Sequence, residues 1–395
     1  MKSSLWPRTL LPLAIFLVAL LMRVVPAWDA AYGDGYPNLQ GGDSYYHLRS
    51  VEALIANFPK RPEFDPYAIY PGGMAVLTGP FLDYLIAILA LVLGMGSPSP
   101  ELVRHVAAWV PPLFGAVTVF PLFWLGLRLF GTAGAAAGAF FFAVCPGHTV
   151  FYAKLGSADH HVFEALFYAW VLAALAAALD PLQSSRGLYA IAAGVAVGFA
   201  LLNRPAAAFL SPVFGIWAGL QAGLAPEGAR ANRSAVWATV GALLLGWLFL
   251  FPGGAGAWGV LPHALMAAGI VAALVGWLSA EWAQARGIPR WAWAAALVGV
   301  VVVAGALLWF AGPRFLIERV RSALDALLGL GSTLVAEARP TVRDGFKPLL
   351  KEVGPLGLLA PPLWAAMAWI ALRTKSRPLS LVSGTGLAMY AGTLA

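Results

Sequence analysis

The stretch Gly156-Ser157-Ala158-Asp159-His160-His161 sets one carboxylate and two imidazoles between two long apolar runs. Ionisable groups at the edge of a bilayer are costly to hold, so a polar cluster in such a place marks function by default. Asp159 and His161 are hard-to-borderline ligands two residues apart. That spacing suits a single divalent cation bound from a turn or a helix start. Asp43 and Glu337 can complete the site if the chain brings them to the same side of the membrane. Each residue also has a plainer reading. Asp43 and Asp159 suit helix caps, and Glu337 lies in a charged loop with Arg339 and Asp344, where surface ion pairs are common. His47, His105, His148 and His263 read as interfacial or core histidines.

The rest of the chain must position these groups within a bilayer. Of its 395 residues, 60% are hydrophobic and 11% are charged. The mean hydropathy is +0.77. Apolar runs near 20 residues, separated by short polar joints, specify an all-α polytopic membrane protein. The 16 tryptophans suit interfacial belts, and the lone Cys145 excludes a disulfide framework. The net charge of +7 suits cytoplasmic anchoring of loops. It does not indicate nucleic acid, because there is no basic, aromatic-studded soluble surface to hold it.

Lys2 and Arg8 precede the apolar run 10–22, which reads as a retained first helix with a cytoplasmic N-terminus rather than a cleaved signal peptide. Residues 28–105 form the first outer loop. Within it, Gly41-Gly42-Asp43 begins a helix whose Val51, Leu54, Ile55 and Phe58 recur at helical spacing, as in an interfacial helix. If the runs 74–94, 106–127 and 133–151 all crossed, Asp43 and Asp159 would face opposite sides. The run 74–94 contains Gly79, Pro80 and Asp83, so it is expected to stay at the outer interface. Arg128 then falls in a cytoplasmic joint and 152–161 becomes a second outer loop. Runs at 162–179, 188–203, 205–222, 235–251, 259–278, 291–311, 355–372 and 379–395 bring the expected bundle to about 11 helices. The short inner joints are then basic, as the positive-inside rule requires, and 312–353 becomes a long outer loop carrying Glu337. The last run stops in mid-helix, which gives the expectation that a C-terminal part is missing.

The segments Gly42-Asp43-Ser44-Tyr45-Tyr46-His47, Tyr70-Pro71-Gly72, Gly156–His161 and Ala336-Glu337-Ala338-Arg339-Pro340 resemble the catalytic subunit of oligosaccharyltransferase, of the single-subunit archaeal or bacterial kind. The resemblance runs in order from residue 1 to about 390. It implies a GT-C membrane glycosyltransferase fold over 1–395. It also implies that Asp43 is both a metal ligand and the contact for the acceptor amide, and that Asp159 and His161 are further metal ligands. Glu337 would be the acid of a mobile outer loop and a fourth ligand. The family pattern there is Thr-Ile-any-Glu; this chain has Leu334-Val335-Ala336-Glu337, with Thr333 one residue further back. The implied cation is Mn²⁺ or Mg²⁺. The implied donor is an oligosaccharide on a polyprenyl phosphate or pyrophosphate, with Lys154 and Arg339 as candidates for its phosphates. The implied acceptor is the asparagine of an Asn-X-Ser/Thr sequon in a polypeptide. The family's C-terminal soluble domain, with its Trp-Trp-Asp-Tyr-Gly motif, is absent from this sequence.

The chemistry is consistent with that expectation. An asparagine amide is a poor nucleophile because resonance delocalises its nitrogen lone pair. Carboxylates that accept its N–H groups, Asp43 and Glu337, weaken that resonance, and a divalent cation neutralises the leaving phosphate oxygens. A single in-line attack predicts inversion at the anomeric carbon. Two alternatives remain open on the residues alone. One is another GT-C enzyme that moves a sugar from a polyprenyl phosphate to a lipid, glycan or hydroxyl acceptor. The other is a non-enzymatic lipid-carrier transporter, for which Arg204 between two apolar runs is the sign. The expected location is the cell (inner) membrane, with the active site on the outer face.

Overall fold

The computed structural model describes residues 6–68, 70–76, 78–145, 148–180, 183–224, 229–253, 259–297, 299, 360–374, 376 and 378–385. The described chain is helical apart from one two-stranded antiparallel pair, in which Phe64–Asp65 lies beside Met74–Ala75. Among the described residues, six helical stretches are long and apolar enough to cross a membrane. The residues fall into two compact units, 1–211 with 241–268 and 212–240 with 269–395.

The first unit starts with α1 (Trp6–Val24), the short α2 (Trp28–Tyr32), α3 (Gly42–Ala56) and α4 (Phe81–Leu93). At 13 residues, α4 is about 20 Å long, too short for a 30 Å hydrocarbon core. The seven residues before it are spent on the strand and a turn into Pro80. The run read from sequence at 74–94 thus gives a helix shorter than that core. Helix α5 (Pro100–Val117) begins at Ser99, whose hydroxyl accepts from the Leu102 N–H. Helix α6 (Val119–Val144) breaks at Gly131, where φ is 71° and ψ is −173°, a combination that only glycine adopts readily. The chain reverses there: a Cβ on Gly126 would lie 2.8 Å from the Cα of Ala135. The runs expected at 106–127 and 133–151 are therefore two arms joined by the segment that carries Arg128.

Next come the single turn α7 (His148–Phe151), then α8 (His161–Leu179) and α9 (Arg186–Asn203). Beyond its first two turns helix α8 is apolar all round, with Ala173 to Leu179 almost fully enclosed, as befits a central helix. Its alanines let neighbouring helices approach closely. At one end Phe81, Phe163, Phe167, Phe199 and Phe249 pack with ring centroids 5.0–6.0 Å apart. Beside this cluster a Cβ on Gly79 would lie 2.2 Å from the backbone oxygens of both Leu202 and Asn203. Gly79→Ala is therefore expected to force the α4 entry off α9. It should destabilise the protein by about 1–3 kcal/mol, read as a lower midpoint in a thermal unfolding assay in detergent.

At the far end of α8, Arg128 donates to Asp180 at 3.1 Å and to Gln183 at 2.9 Å. The two joints expected on the cytoplasmic side thus meet. They lie about 28 Å from His161, since α8 spans 19 residues at about 1.5 Å each.

The second unit holds parts of α10 (Leu210–Leu224), α11 (Ala229–Leu248) and α13 (Leu261–Ala285), and a helix over Ala360–Thr374. The turn α12 (Leu250–Gly253) belongs to the first unit. Within the second unit Gly215 lies directly against the carbonyl of Gly269, and Gly219 against Gly276, small-residue contacts typical of helix crossings in membranes. Arg233 pairs with Glu281 at 2.8 Å. Trp217 and Gln221 both donate to the Ser380 hydroxyl.

Candidate metal centre

The loop 152–160 is held from three sides by backbone hydrogen bonds. The Leu155 N–H donates to the carbonyl of Arg23 in α1 at 2.9 Å, and the Gly156 N–H donates to Ala108 in α5 at 3.1 Å. The Gly156 carbonyl accepts from the Gln40 N–H at 2.8 Å. The Gln40 carbonyl in turn accepts from the Ser44 hydroxyl at 2.7 Å, which ties the start of α3 to the same loop. From the other side, the Asn203 side-chain amide at the end of α9 donates to the His160 carbonyl at 3.0 Å.

These tethers turn Asp159 inward, and it is 4% exposed. Its Oδ1 accepts from the His161 N–H at 3.0 Å, so it does cap the start of α8. That engages one oxygen and leaves the other lone pairs for a ligand, so cap and ligand roles are compatible. His160 Nδ1 stands 3.4 Å and His161 Nε2 4.0 Å from Asp159 Oδ1. The ligand atoms of Asp159, His160 and His161 all lie within 4.8 Å of one another. Metal–ligand bonds of about 2.0–2.2 Å place two donors on one ion at most about 4.4 Å apart, so a small closure of this triad suffices. One carboxylate with two imidazoles is a donor set for a divalent transition ion.

Burial raises the Asp159 pKa, opposed by His161 and its N–H, and the charge of Asp43 raises it further. Asp43 is exposed in the first turn of α3. Burial pushes the His160 imidazole down to about 3, with His161 and His47 adding to the effect. His160 is then neutral near pH 7 and offers a lone pair. Lys154, five residues before Asp159, lies over the Phe151 ring at 4.4 Å. Glu337 and Arg339 lie outside the described residues.

Five further side chains lie around this cluster. His47, read from sequence as an interfacial or core histidine, places Nε2 3.4 Å from His160 Nδ1. It follows Asp43 by four residues on α3 and shares its face. The other nitrogen of His47 meets Asp83 Oδ1 at 2.7 Å, and Asp83 is held by Arg61. Glu164, one turn into α8, sits 3.5 Å from His161 Nδ1 and 2.9 Å from Arg204. Arg204 is therefore partnered beside the site. The i, i+4 and i, i+3 spacings of His47 and Glu164 were visible in the sequence; Asp83 gave only the signal of a charge inside an apolar run.

Residues 13–203 match the family described as oligosaccharyl transferase STT3, N-terminal. The chain is 33% identical over 247 residues to the dolichyl-monophosphooligosaccharide–protein glycotransferase AglB of Haloferax volcanii, covering 58% of this chain and 23% of that one. It is 29% identical over 267 residues to dolichyl-phosphooligosaccharide-protein glycotransferase 3 of Archaeoglobus fulgidus, covering 63% and 30%. The fold matches the crystal structure of the Archaeoglobus fulgidus oligosaccharyltransferase in the apo form, with a TM-score of 0.81 at 20% identity over 99% of this chain and 50% of that one. It also matches the archaeal oligosaccharyltransferase AglB from the same organism in complex with an inhibitory peptide and a dolichol-phosphate, with a TM-score of 0.80. The chain thus spans about half the length of these solved structures and less than a third of these two curated relatives. Residues 13–203, which carry Asp43, Asp159, His160 and His161, are thus similar to the STT3 oligosaccharyl transferase family.

Proposed function

We propose that this chain is the membrane-embedded part of an oligosaccharyltransferase. It moves an oligosaccharide from a polyprenyl phosphate or pyrophosphate to the asparagine of an Asn-X-Ser/Thr sequon. The observation that carries the reading is the clustering of Asp159, His160 and His161, with ligand atoms within 4.8 Å of one another, and the charge of Asp43 acting on Asp159. Related proteins support both substrates. One Archaeoglobus fulgidus structure is a complex with a dolichol-phosphate, and another is tethered to an acceptor peptide containing the NVT sequon. A third is a complex with Zn and sulfate.

Asp159, His160 and His161 are the residues that would hold a divalent cation, with Asp43 and Glu337 as further carboxylates; Mn²⁺ suits the mixed donor set better than Mg²⁺. A bound cation would supply Lewis-acid stabilisation of the leaving phosphate oxygens. The Asp43 carboxylate accepts an N–H of the acceptor amide, which weakens the amide resonance and orients the nitrogen. The C–N bond then forms as the anomeric C–O bond breaks on the opposite side. The phosphate leaves with the electron pair, the amide proton passes to a carboxylate, and the sugar carbon inverts. Lys154 and Arg339 are the cations proposed to contact the donor phosphates.

We place the site on the outer face of the cell membrane with the N-terminus in the cytoplasm. The basic joint that carries Arg128 and Arg186 supports this, since it lies at the opposite end of α8. The test is transfer to an Asn-X-Thr peptide from lipid-linked oligosaccharide by the full reading frame in membranes. Transfer is expected with Mn²⁺, with none to a Gln-X-Thr peptide and none in EDTA. Turnover of the donor onto a lipid or sugar hydroxyl, with the peptide unmodified, would sink the reading.

A further inference from the structure

Asp43 enters α3 behind two glycines. Gly41 has a φ of 88°, and Gly42 is the first helical residue. Gly41 has no side chain with which to cap the helix, and a glycine pair leaves the chain free to leave in many directions. A Cβ on either glycine would meet nothing within 4 Å among the described residues, so packing does not fix this junction. Its direction has to be set by bonds that reach across it.

Two such bonds are present, and both come from the residues directly after Asp43. The Ser44 hydroxyl donates to the Gln40 carbonyl at 2.7 Å, and the Tyr45 hydroxyl donates to Asn38 Oδ1 at 3.0 Å. Ser44 is 1% exposed, and a buried polar group that loses its partner is costly. The far ends of both bonds lie on one short strap, residues 38–40, whose middle residue Leu39 is buried. The strap is seated in turn on the loop that carries Asp159. The Gln40 N–H donates to the Gly156 carbonyl at 2.8 Å, and the Asn38 N–H donates to the Ala31 carbonyl of α2 at 2.8 Å. Gly156 has a φ of 86°, and a Cβ there would lie 3.0 Å from the Asn38 carbonyl oxygen. The loop thus gives the strap a close backbone seat, from which an L side chain would lift it.

We propose that the strap 38–40 is the spacer that sets Asp43 against the Asp159 loop, with Ser44 and Tyr45 as positioning residues that act through Asp43. The inference rests on the reading of Asp43 and Asp159 as ligands of one cation. Metal–ligand distances hold to within about 0.2 Å. A carboxylate delivered from a loose glycine junction therefore binds weakly, and one locked from outside binds tightly. Cation affinity is then set in part by two hydroxyl groups that are not ligands.

The experiment measures Mn²⁺ affinity by electron paramagnetic resonance on the purified full-length protein, with the melting temperature in EDTA as the check of folding. Ser44→Ala and Tyr45→Phe are made in the parent and again in an Asp43→Ala background. In the parent, Ser44→Ala is expected to weaken Mn²⁺ binding about tenfold. Tyr45→Phe should weaken it less, because its bond is exposed; it removes one surface oxygen and decides the matter if Ser44→Ala does not fold. In the Asp43→Ala background the same changes should leave the remaining affinity as it is, since residues that act through one group are not additive. An equal loss in both backgrounds would show that the hydroxyls merely hold the Asp159 loop, and would overturn the proposal. Parent-like affinity in the folded Ser44→Ala and Tyr45→Phe variants, or in Asp43→Ala itself, would overturn it as well. Parent-like binding by Asp159→Ala would instead overturn the metal centre beneath it.

Discussion

Asp159→Asn is expected to abolish cation binding and to lower oligosaccharide transfer at least about 10³-fold, roughly 4 kcal/mol in barrier, while the protein stays folded. Asp159 is the one carboxylate inside the triad and is 4% exposed. Without its charge, two neutral imidazoles would have to hold a dication in a partly dry pocket. The amide keeps an oxygen for the His161 N–H, so the start of α8 stays capped. Asp159→Ala removes both functions and should also cost about 1 kcal/mol of stability. The two variants together separate ligand from cap. Calorimetric unfolding in EDTA reads the cap and Mn²⁺ titration reads the ligand. Parent-like Mn²⁺ affinity in Asp159→Asn would show that the residue is a cap alone.

Glu164→Ala should give the next largest effect. The Glu164 carboxylate lies between the Arg204 guanidinium at 2.9 Å and His161 Nδ1 at 3.5 Å. It fixes which His161 nitrogen faces Asp159, and it cancels the arginine charge close to where a cation would sit. Its removal leaves Arg204 positive beside the site, so repulsion adds to the loss of ring orientation. Cation affinity is expected to fall about 10–100-fold. Glu164→Gln, which keeps a hydrogen-bond acceptor without the charge, should fall between parent and alanine. Adding Arg204→Met to Glu164→Ala should recover part of the loss, because residues in one network are not additive. A double variant no better than Glu164→Ala would show that the arginine charge is not felt at the site.

The parts of this centre that could be read from sequence are those set by local spacing. Asp159 and His161 lie on one turn at a helix start, and Asp43 opens another helix, so their presence and type were legible. The expectation that they share one side of the membrane followed from counting crossings. That count turned on Gly79, Pro80 and Asp83 shortening one run, and helix Phe81–Leu93 has that short length. The Arg128 joint was legible as a break, although its pairing with Asp180 is a contact across 52 residues that no local pattern carries. The partners of His47 and Asp83 were not legible for the same reason. Their bond joins residues 36 apart, and the contact of His47 with His160 spans 113. A charge in an apolar run reads as a helix-shortening signal until its tertiary partner is known. The apolar run expected at 235–251 also starts earlier, at Ala229, because Arg233 is drawn into the helix and pairs with Glu281.

The central claim is that the Asp159 loop, together with Asp43, is a divalent-cation centre. The most direct test is a crystal structure of the full reading frame grown with Mn²⁺, with anomalous scattering recorded near the manganese edge. The account predicts one strong anomalous peak within bonding distance of Asp159 and of at least one of His160 and His161, on the side that faces Asp43. A peak elsewhere, or ordered Asp159, His160 and His161 side chains with no peak among them at saturating Mn²⁺, would contradict it.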